Sequence, residues 1–295
     1  MIGPKGPKVE IAVIGGWLAW ELLASGALAG ERQGRIDTPF GGSQPLYLMA
    51  ANDTPFYFLS RHGERHYSLG ASFVNYRANI YALKEMGVKT IVAWSGCGAV
   101  GPDAEVGQLV VASDVIDETR RREGTFMRFR GIGLLRQHTP FCPTVRRELI
   151  DVLATRKSNF VDHGVYACTE GPRLETAAEV RKLSRDGADV IGMTLVPEVF
   201  LARELEMCYA ALGLVTHYAE GVKDRRHRPT ELFEGLATRS EELAVEKTLT
   251  RLPEIVTDTV ESLCGSRRIC HCQESMKRYK KMGDIGEDWH EWLKP

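Results

Sequence analysis

Short apolar runs alternate with longer amphipathic stretches along most of this chain, and that alternation restricts the fold more than any other feature. The runs fall at residues 11–14, 46–49, 56–59, 90–93, 109–112, 165–168, 190–192 and 212–216. They are too short for ordinary helices and read as buried strands. Residues 72–86, 143–156, 175–186, 197–209 and 240–264 carry the helical pattern. Strands interleaved with helices predict an α/β architecture. A continuous run such as Thr90-Ile91-Val92-Ala93 suits a sheet covered on both faces.

Neither a repeat nor a low-complexity linker interrupts the pattern, so residues 1–264 read as one domain and residues 265–295 as a polar tail. Within the tail, Trp289 and Trp292 lie three apart, on one face of a short docking helix. Residues 223–229, Lys-Asp-Arg-Arg-His-Arg-Pro, read as a solvated loop. A chain of 295 residues can bury a sizeable core without metals or disulfides. Its formal charge of −1 gives no reason to expect a nucleic acid or an acidic membrane as partner. No apolar run approaches the roughly 20 residues of a membrane helix. The run at 11–14 is also too short for a signal-peptide core, so a cytoplasmic location is expected.

The seven cysteines are odd in number and widely spaced, which argues against a full disulfide framework. Cys97, Cys142, Cys168 and Cys208 lie in apolar surroundings and read as small core residues. Cys264, Cys270 and Cys272 fall within nine residues of the tail, with His271 between the last two. A metal centre needs a fourth ligand and a more usual spacing. A Cys-x-Cys disulfide or free thiols are expected there, and no metal.

Several segments at strand ends carry groups suited to binding an anion or a base. Gly15-Gly16-Trp17 follows the first run, where a glycine turn lets backbone N–H groups approach an anion. Taken alone it is equally a tight turn. Arg61-His62-Gly63 follows the run at 56–59; an arginine there can clamp an oxyanion or form a surface ion pair. Ser95-Gly96 follows the run at 90–93 and invites a nucleophile reading, although Gly-x-Ser-x-Gly is absent. Glu175 opens a helix, where a carboxylate also interacts with the macrodipole. Met193-Thr194 and His217 close two further strands.

Three blocks are more specific: residues 74–80, residues 168–176 with Cys-Thr-Glu-Gly-Pro-Arg-Leu-Glu-Thr, and residues 192–204 opening with Gly-Met-Thr-Leu-Val-Pro-Glu. Together they resemble the purine nucleoside phosphorylases and methylthioadenosine phosphorylases, over about residues 9–221. The resemblance implies a single α/β domain with a mixed, barrel-like central sheet flanked by helices, assembled as a homotrimer. It implies attack of phosphate on the ribose C1′ of a purine nucleoside or 5′-methylthio-purine nucleoside. The partners are then the nucleoside and phosphate, with phosphate as co-substrate and no cofactor. By the same resemblance Gly16, Trp17, Arg61, His62, Ser95 and Thr194 form the phosphate site. Gly96, Leu174, Glu175, Met193, His217 and Ala219 hold base and ribose. His217 stabilises the leaving base at N7, and Glu175 accepts N1–H of a 6-oxopurine.

Four positions depart from the family pattern. Trp17 stands for a serine, Glu64 for an arginine, Ala99 for a serine, and His217 for an aspartate or asparagine. They keep a second reading open: a scaffold turned into an ester or nucleoside hydrolase, or a binder of an aromatic ligand. In that reading Trp17 and Trp94 line an apolar pocket, and Ser95 is the nucleophile with His62 or His66 as its base.

Overall fold

The computed structural model describes residues 6–65, 67–101 and 103–293. In chain order the elements are β1 (Ile11–Gly15), α1 (Ala19–Ala24), β2 (Glu31–Gly34), β3 (Asp37–Thr38), β4 (Gly41–Gly42), β5 (Leu46–Ala51), β6 (Thr54–Ser60), α2 (Tyr76–Glu85), β7 (Thr90–Ala99), β8 (Leu109–Val111) and β9 (Asp114–Glu118). There follow α3 (Pro143–Thr155), β10 (Phe160–Val161), β11 (Val165–Thr169), α4 (Ala177–Arg185), β12 (Val190–Gly192), α5 (Leu195–Glu204), β13 (Cys208–Tyr218), α6 (Arg239–Gly265), α7 (Lys277–Met282) and α8 (Trp289–Trp292).

All eight apolar runs become strands of one mixed sheet. Its main path is β10-β8-β13-β7-β1-β6-β5-β2, and β12, β11 and β9 branch from β7. β1 lies parallel between β6 and β7, with all five of its residues buried, as expected for a strand covered on both faces. Only Ala112 and Ser113 separate β8 from β9, so the pairings β7-β13-β8, then β9-β11-β12-β7, close a ring. The Ser113 amide donates to the Gly164 carbonyl at 2.9 Å where the ring turns. Helices α2 and α5 pack together over the sheet, and α3 packs on α6. Sequence-encoded caps start the helices: Thr176 and Glu179 form a capping box on α4, Thr238 and Glu241 another on α6.

Two expected boundaries differ. The strand expected to end near Ala93 runs to Ala99, through Gly96 and Gly98. Glycine is weak in strands, but β13 pairs along this stretch and β12 pairs with Gly98 and Ala99, so tertiary pairing overrides propensity. The helix expected over 197–209 ends at Glu204. Glu206 takes a left-handed φ of 57°, and Cys208 and Tyr209 already belong to β13.

The tail does more than dock one helix. Cys272, Met276, Tyr279, Ile285 and Trp292 all join the main hydrophobic core. Trp292 is buried, and Trp289 meets the Tyr81 ring edge-on at 4.9 Å. Among the described residues no helix is long and apolar enough to cross a membrane.

Candidate active site

The strands β1, β6, β7, β12 and β13 bring their ends to one cavity of about 410 Å³, within the range that holds a drug-sized ligand. Gly16 follows β1, Ser60 ends β6, Ser95 and Gly96 lie within β7, Met193 and Thr194 follow β12, and Thr216 and His217 sit near the end of β13. The register of β13 against β7 slips between Val215 and His217. Such a bulge re-aims a side chain, and here His217 lines the cavity.

Gly16 has no room for a side chain. A Cβ there would lie 2.4 Å from the Trp94 carbonyl oxygen and 2.7 Å from Arg61 Nη1, so the turn is glycine because the backbone of β7 comes too close. The turn ends in Leu18 at φ 58°, a left-handed conformation unfavourable for a bulky side chain. It sets the Trp17 side chain over Gly96, whose own Cβ would meet Trp17 Cβ at 3.3 Å.

Three hydroxyls meet at the cavity wall, with Ser95 and Thr194 lining it and Tyr166 buried behind them. Thr194 Oγ1 donates to Ser95 Oγ at 2.8 Å, and Tyr166 OH lies 2.9 Å from the same oxygen. Ser95 also reaches the Gly96 carbonyl at 3.0 Å. None of these partners is a base, so Ser95 lacks the activation a nucleophile needs. His62 is turned away from that role: its Nδ1 lies 2.8 Å from the Leu69 carbonyl, which fixes the proton on Nδ1. Burial, then the Arg61 charge, hold His62 down to about 3, against the Leu69 hydrogen bond. His66, the other base considered, lies outside the described residues.

The base-side groups are also assembled. Glu175 lines the cavity and accepts from Thr169 Oγ1 at 2.5 Å. Burial lifts its carboxyl above the ordinary range, partly offset by that hydrogen bond. His217 is buried, with Nδ1 at 2.9 Å from Thr216 Oγ1, and desolvation holds it down to about 4. It is a neutral imidazole near pH 7. Its ring stacks on Phe233 at 4.3 Å and lies against Gly98, where a Cβ would come within 2.9 Å of Nε2. Leu174 and Met193 complete this wall.

Two residues expected at the site are elsewhere. Arg61 is fully buried behind the Gly16 turn and does not line the cavity. Glu198 takes its guanidinium in a bidentate pair, Nε–Oε1 2.5 Å and Nη2–Oε2 2.8 Å, and Nη1 donates to the Trp94 carbonyl at 3.0 Å. With its charge paired and its fork occupied, it is a strut rather than an open clamp. Ala219 lies in a second apolar cluster with Val100 and Ile191. Trp94 also stays out of the cavity, its ring against Phe58 at 5.6 Å and its Nε1 donating to the Trp17 carbonyl at 3.2 Å.

The departures sort by the same geometry. Glu64 pairs with Arg32 at 2.6 Å away from the cavity, and Ala99 is a strand residue outside it. Only Trp17 and His217 face the ligand space.

Sequence reasoning missed Phe233, Tyr67 and Arg122. Phe233 and Tyr67 line the cavity, the latter stacked on His62 at 3.9 Å. Arg122 is 2 % exposed and bolts the base-side loops from beneath. Its Nη1 donates to the Met193 and Val196 carbonyls at 2.6 Å each, and its Nη2 to those of Thr169 and Glu170 at 3.0 and 2.9 Å. The only sequence signal was an arginine in the run 120–122, which looks like ordinary surface charge.

The sequence profile of the phosphorylase superfamily matches residues 10–251. A 6-oxopurine nucleoside phosphorylase of Pyrococcus furiosus is 35 % identical over 91 % of this chain and 98 % of its own length. A probable S-methyl-5′-thioinosine phosphorylase of Methanothermobacter thermautotrophicus is 35 % identical over 90 % and 89 %. Among solved structures, methylthioadenosine phosphorylase of Schistosoma mansoni with adenine superposes with a TM-score of 0.76 at 26 % identity, covering 95 % of this chain and 99 % of that one.

Proposed function

Because this chain belongs to the phosphorylase superfamily, we propose that it is a pentosyltransferase that cleaves purine nucleosides, or their 5′-methylthio counterparts, with inorganic phosphate. The products are the free base and ribose 1-phosphate or its methylthio analogue. The observation that carries this reading is the cavity itself, where the Ser95–Thr194 hydroxyl pair, the partly buried Glu175 carboxyl and the His217 imidazole share one space.

Phosphate binds to the backbone of the Gly16-Trp17 turn and to the Ser95 and Thr194 hydroxyls. Among the described residues no lysine or arginine lines the cavity, so these neutral donors hold the anion, with the Arg61–Glu198 strut fixing the turn from behind. Met193 and Gly96 face the ribose, and Leu174 the base. As the C1′–N9 bond breaks, negative charge develops on the purine. His217, with its proton on Nε2, then donates to N7; in that tautomer the Thr216 hydroxyl turns from the Cys97 carbonyl, 3.1 Å away, to His217 Nδ1 at 2.9 Å.

The preferred bases are 6-oxopurines. Glu175 supports this choice, since a partly buried carboxylate, covered further by the base, accepts N1–H of hypoxanthine or guanine and is left unpaired by adenine. The relatives' names, 6-oxopurine and thioinosine phosphorylase, point the same way. Glu175→Ala is expected to lower kcat/KM for inosine by more than about tenfold. An unchanged rate would take the residue out of the base site.

Trp17 accounts for the unusual phosphate loop. Trp17→Ser restores a hydroxyl, and the phosphate KM is expected to fall about fivefold, the worth of one hydrogen bond of about 1 kcal/mol. A phosphate KM that does not respond would mean the indole does not limit the loop.

The enzyme works as a cytoplasmic homotrimer. Phe73, Phe129 and Leu134, each more than 70 % exposed, offer apolar surface for subunit contact. The seven free cysteines fit a reducing compartment.

A further inference from the structure

The tail cysteines do not stand alone. Cys142 stands at the start of α3, Cys208 opens β13, and in the tail Cys270 lies two residues before Cys272, which begins a short 3-10 helix, Cys272–Glu274. All four sulfur atoms lie within 4.8 Å of one another, and Cys142, Cys208 and Cys272 are buried. The Cys208 and Cys270 sulfurs are 3.5 Å apart. The Cys142 amide donates to the Tyr209 carbonyl at 2.8 Å, which ties the first two cysteines together.

We infer that these four thiols form a structural Zn²⁺ site that staples the C-terminal tail to the catalytic domain. Four thiolates at about 2.3 Å from one zinc stand about 3.8 Å apart from each other. The observed spacings, from 3.5 Å for Cys208–Cys270 up to 4.8 Å at most, need adjustments of no more than about 1 Å to reach that geometry. Disulfides call for two separate pairs, each at about 2.0 Å. Here all four sulfurs lie within 4.8 Å of one another, a mutual proximity that one shared ion requires and two separate bridges do not. With all four positions filled by protein the site is closed, so its role is structural.

The sequence pattern alone excluded a metal because the tail lacks a fourth ligand. The fold supplies the missing pair from Cys142 and Cys208, more than sixty residues upstream of Cys270. Neighbouring contacts show what the ion would secure. The Ile269 amide donates to Thr144 Oγ1 at 3.2 Å, Ser275 Oγ to the Arg203 carbonyl at 2.6 Å, and the Met276 amide to Glu206 at 3.1 Å. This inference does not depend on the phosphorylase reading.

The test is metal content and thiol state of the full chain, purified without chelators from zinc-supplemented cells. About one zinc per chain is expected, with all seven cysteines alkylated after denaturation without reductant. Cys270→Ser/Cys272→Ser should drop zinc to below about a tenth per chain and leave the tail open to limited proteolysis, whereas Cys264→Ser, at an exposed position, should keep it. Should the double variant fail to fold, Co²⁺ loaded into the unaltered protein should give the thiolate charge-transfer and strong visible bands of a tetrahedral sulfur site. Four unalkylated cysteines with a mass deficit of two hydrogens per bridge would overturn the inference in favour of disulfides. Bound iron in place of zinc, or seven free thiols with no metal, would overturn it as well.

Discussion

His217→Ala is expected to lower kcat/KM for phosphorolysis by about a hundredfold or more, the usual worth of a positioned proton donor. The β13 bulge carries the imidazole into the cavity beside Thr216, and removing it leaves N7 of the departing base without a partner. His217→Asn should recover most of the loss, because an amide can make the same hydrogen bond. The pH profile separates this account from one that uses an imidazolium. Desolvation holds His217 down to about 4, so the ring is neutral throughout the physiological range. The rate should therefore show no fall through pH 6.5 as pH rises. A fall there that vanishes in His217→Asn would mean the ring acts in its charged form. An alanine variant with unchanged kcat/KM would remove His217 from the chemistry.

The largest effect on stability is expected at Glu198, a residue that never touches the ligand space. Glu198→Ala should destabilise the fold by about 3–5 kcal/mol, as when one partner of a buried ion pair is deleted. Arg61 and Glu198 are both fully buried, and Tyr209 OH also donates to Glu198 Oε2 at 2.7 Å. Alanine leaves a buried guanidinium uncompensated and a tyrosine hydroxyl without its acceptor. Glu198→Gln keeps the shape and one acceptor and should lose less. Urea denaturation gives both values. A loss under about 1 kcal/mol in the alanine variant would show that water or another acid takes over the pairing. Since Arg61 also abuts the Gly16 turn, phosphate KM should worsen in the surviving protein.

Much of the fold was legible because eight of the strands are apolar runs and helices such as α3, α4 and α6 carry an amphipathic stripe, whereas β2 (Glu-Arg-Gln-Gly) and β9 (Asp-Val-Ile-Asp-Glu) carry no such run. The same alternation placed Gly16, Met193 and His217 at strand ends, where an α/β sheet gathers its ligands, while Ser95 lies inside β7, which runs on to Ala99. What was illegible depended on partners far away in sequence. Arg61 reads as an anion clamp only until Glu198, 137 residues later, is seen to occupy it. The strand through Gly96 and Gly98 exists because β12 and β13 pair with it, not because of its own residues. Phe233 reaches the cavity from a loop with no periodicity, at a left-handed φ of 51° that no sequence pattern announces. The four clustered thiols come from three separated segments. Glu64 and Ala99 looked like damage to the site, yet both lie outside the cavity. The remaining substitutions, Trp17 and His217, change how the site binds without removing the groups it needs.

The most direct measurement is purine release from inosine, guanosine, methylthioinosine and methylthioadenosine, each with and without inorganic phosphate. The account predicts release of hypoxanthine or guanine that requires phosphate and yields one sugar 1-phosphate per base, with adenine release much slower. Release at the same rate without phosphate, or none from any of the four, would contradict it.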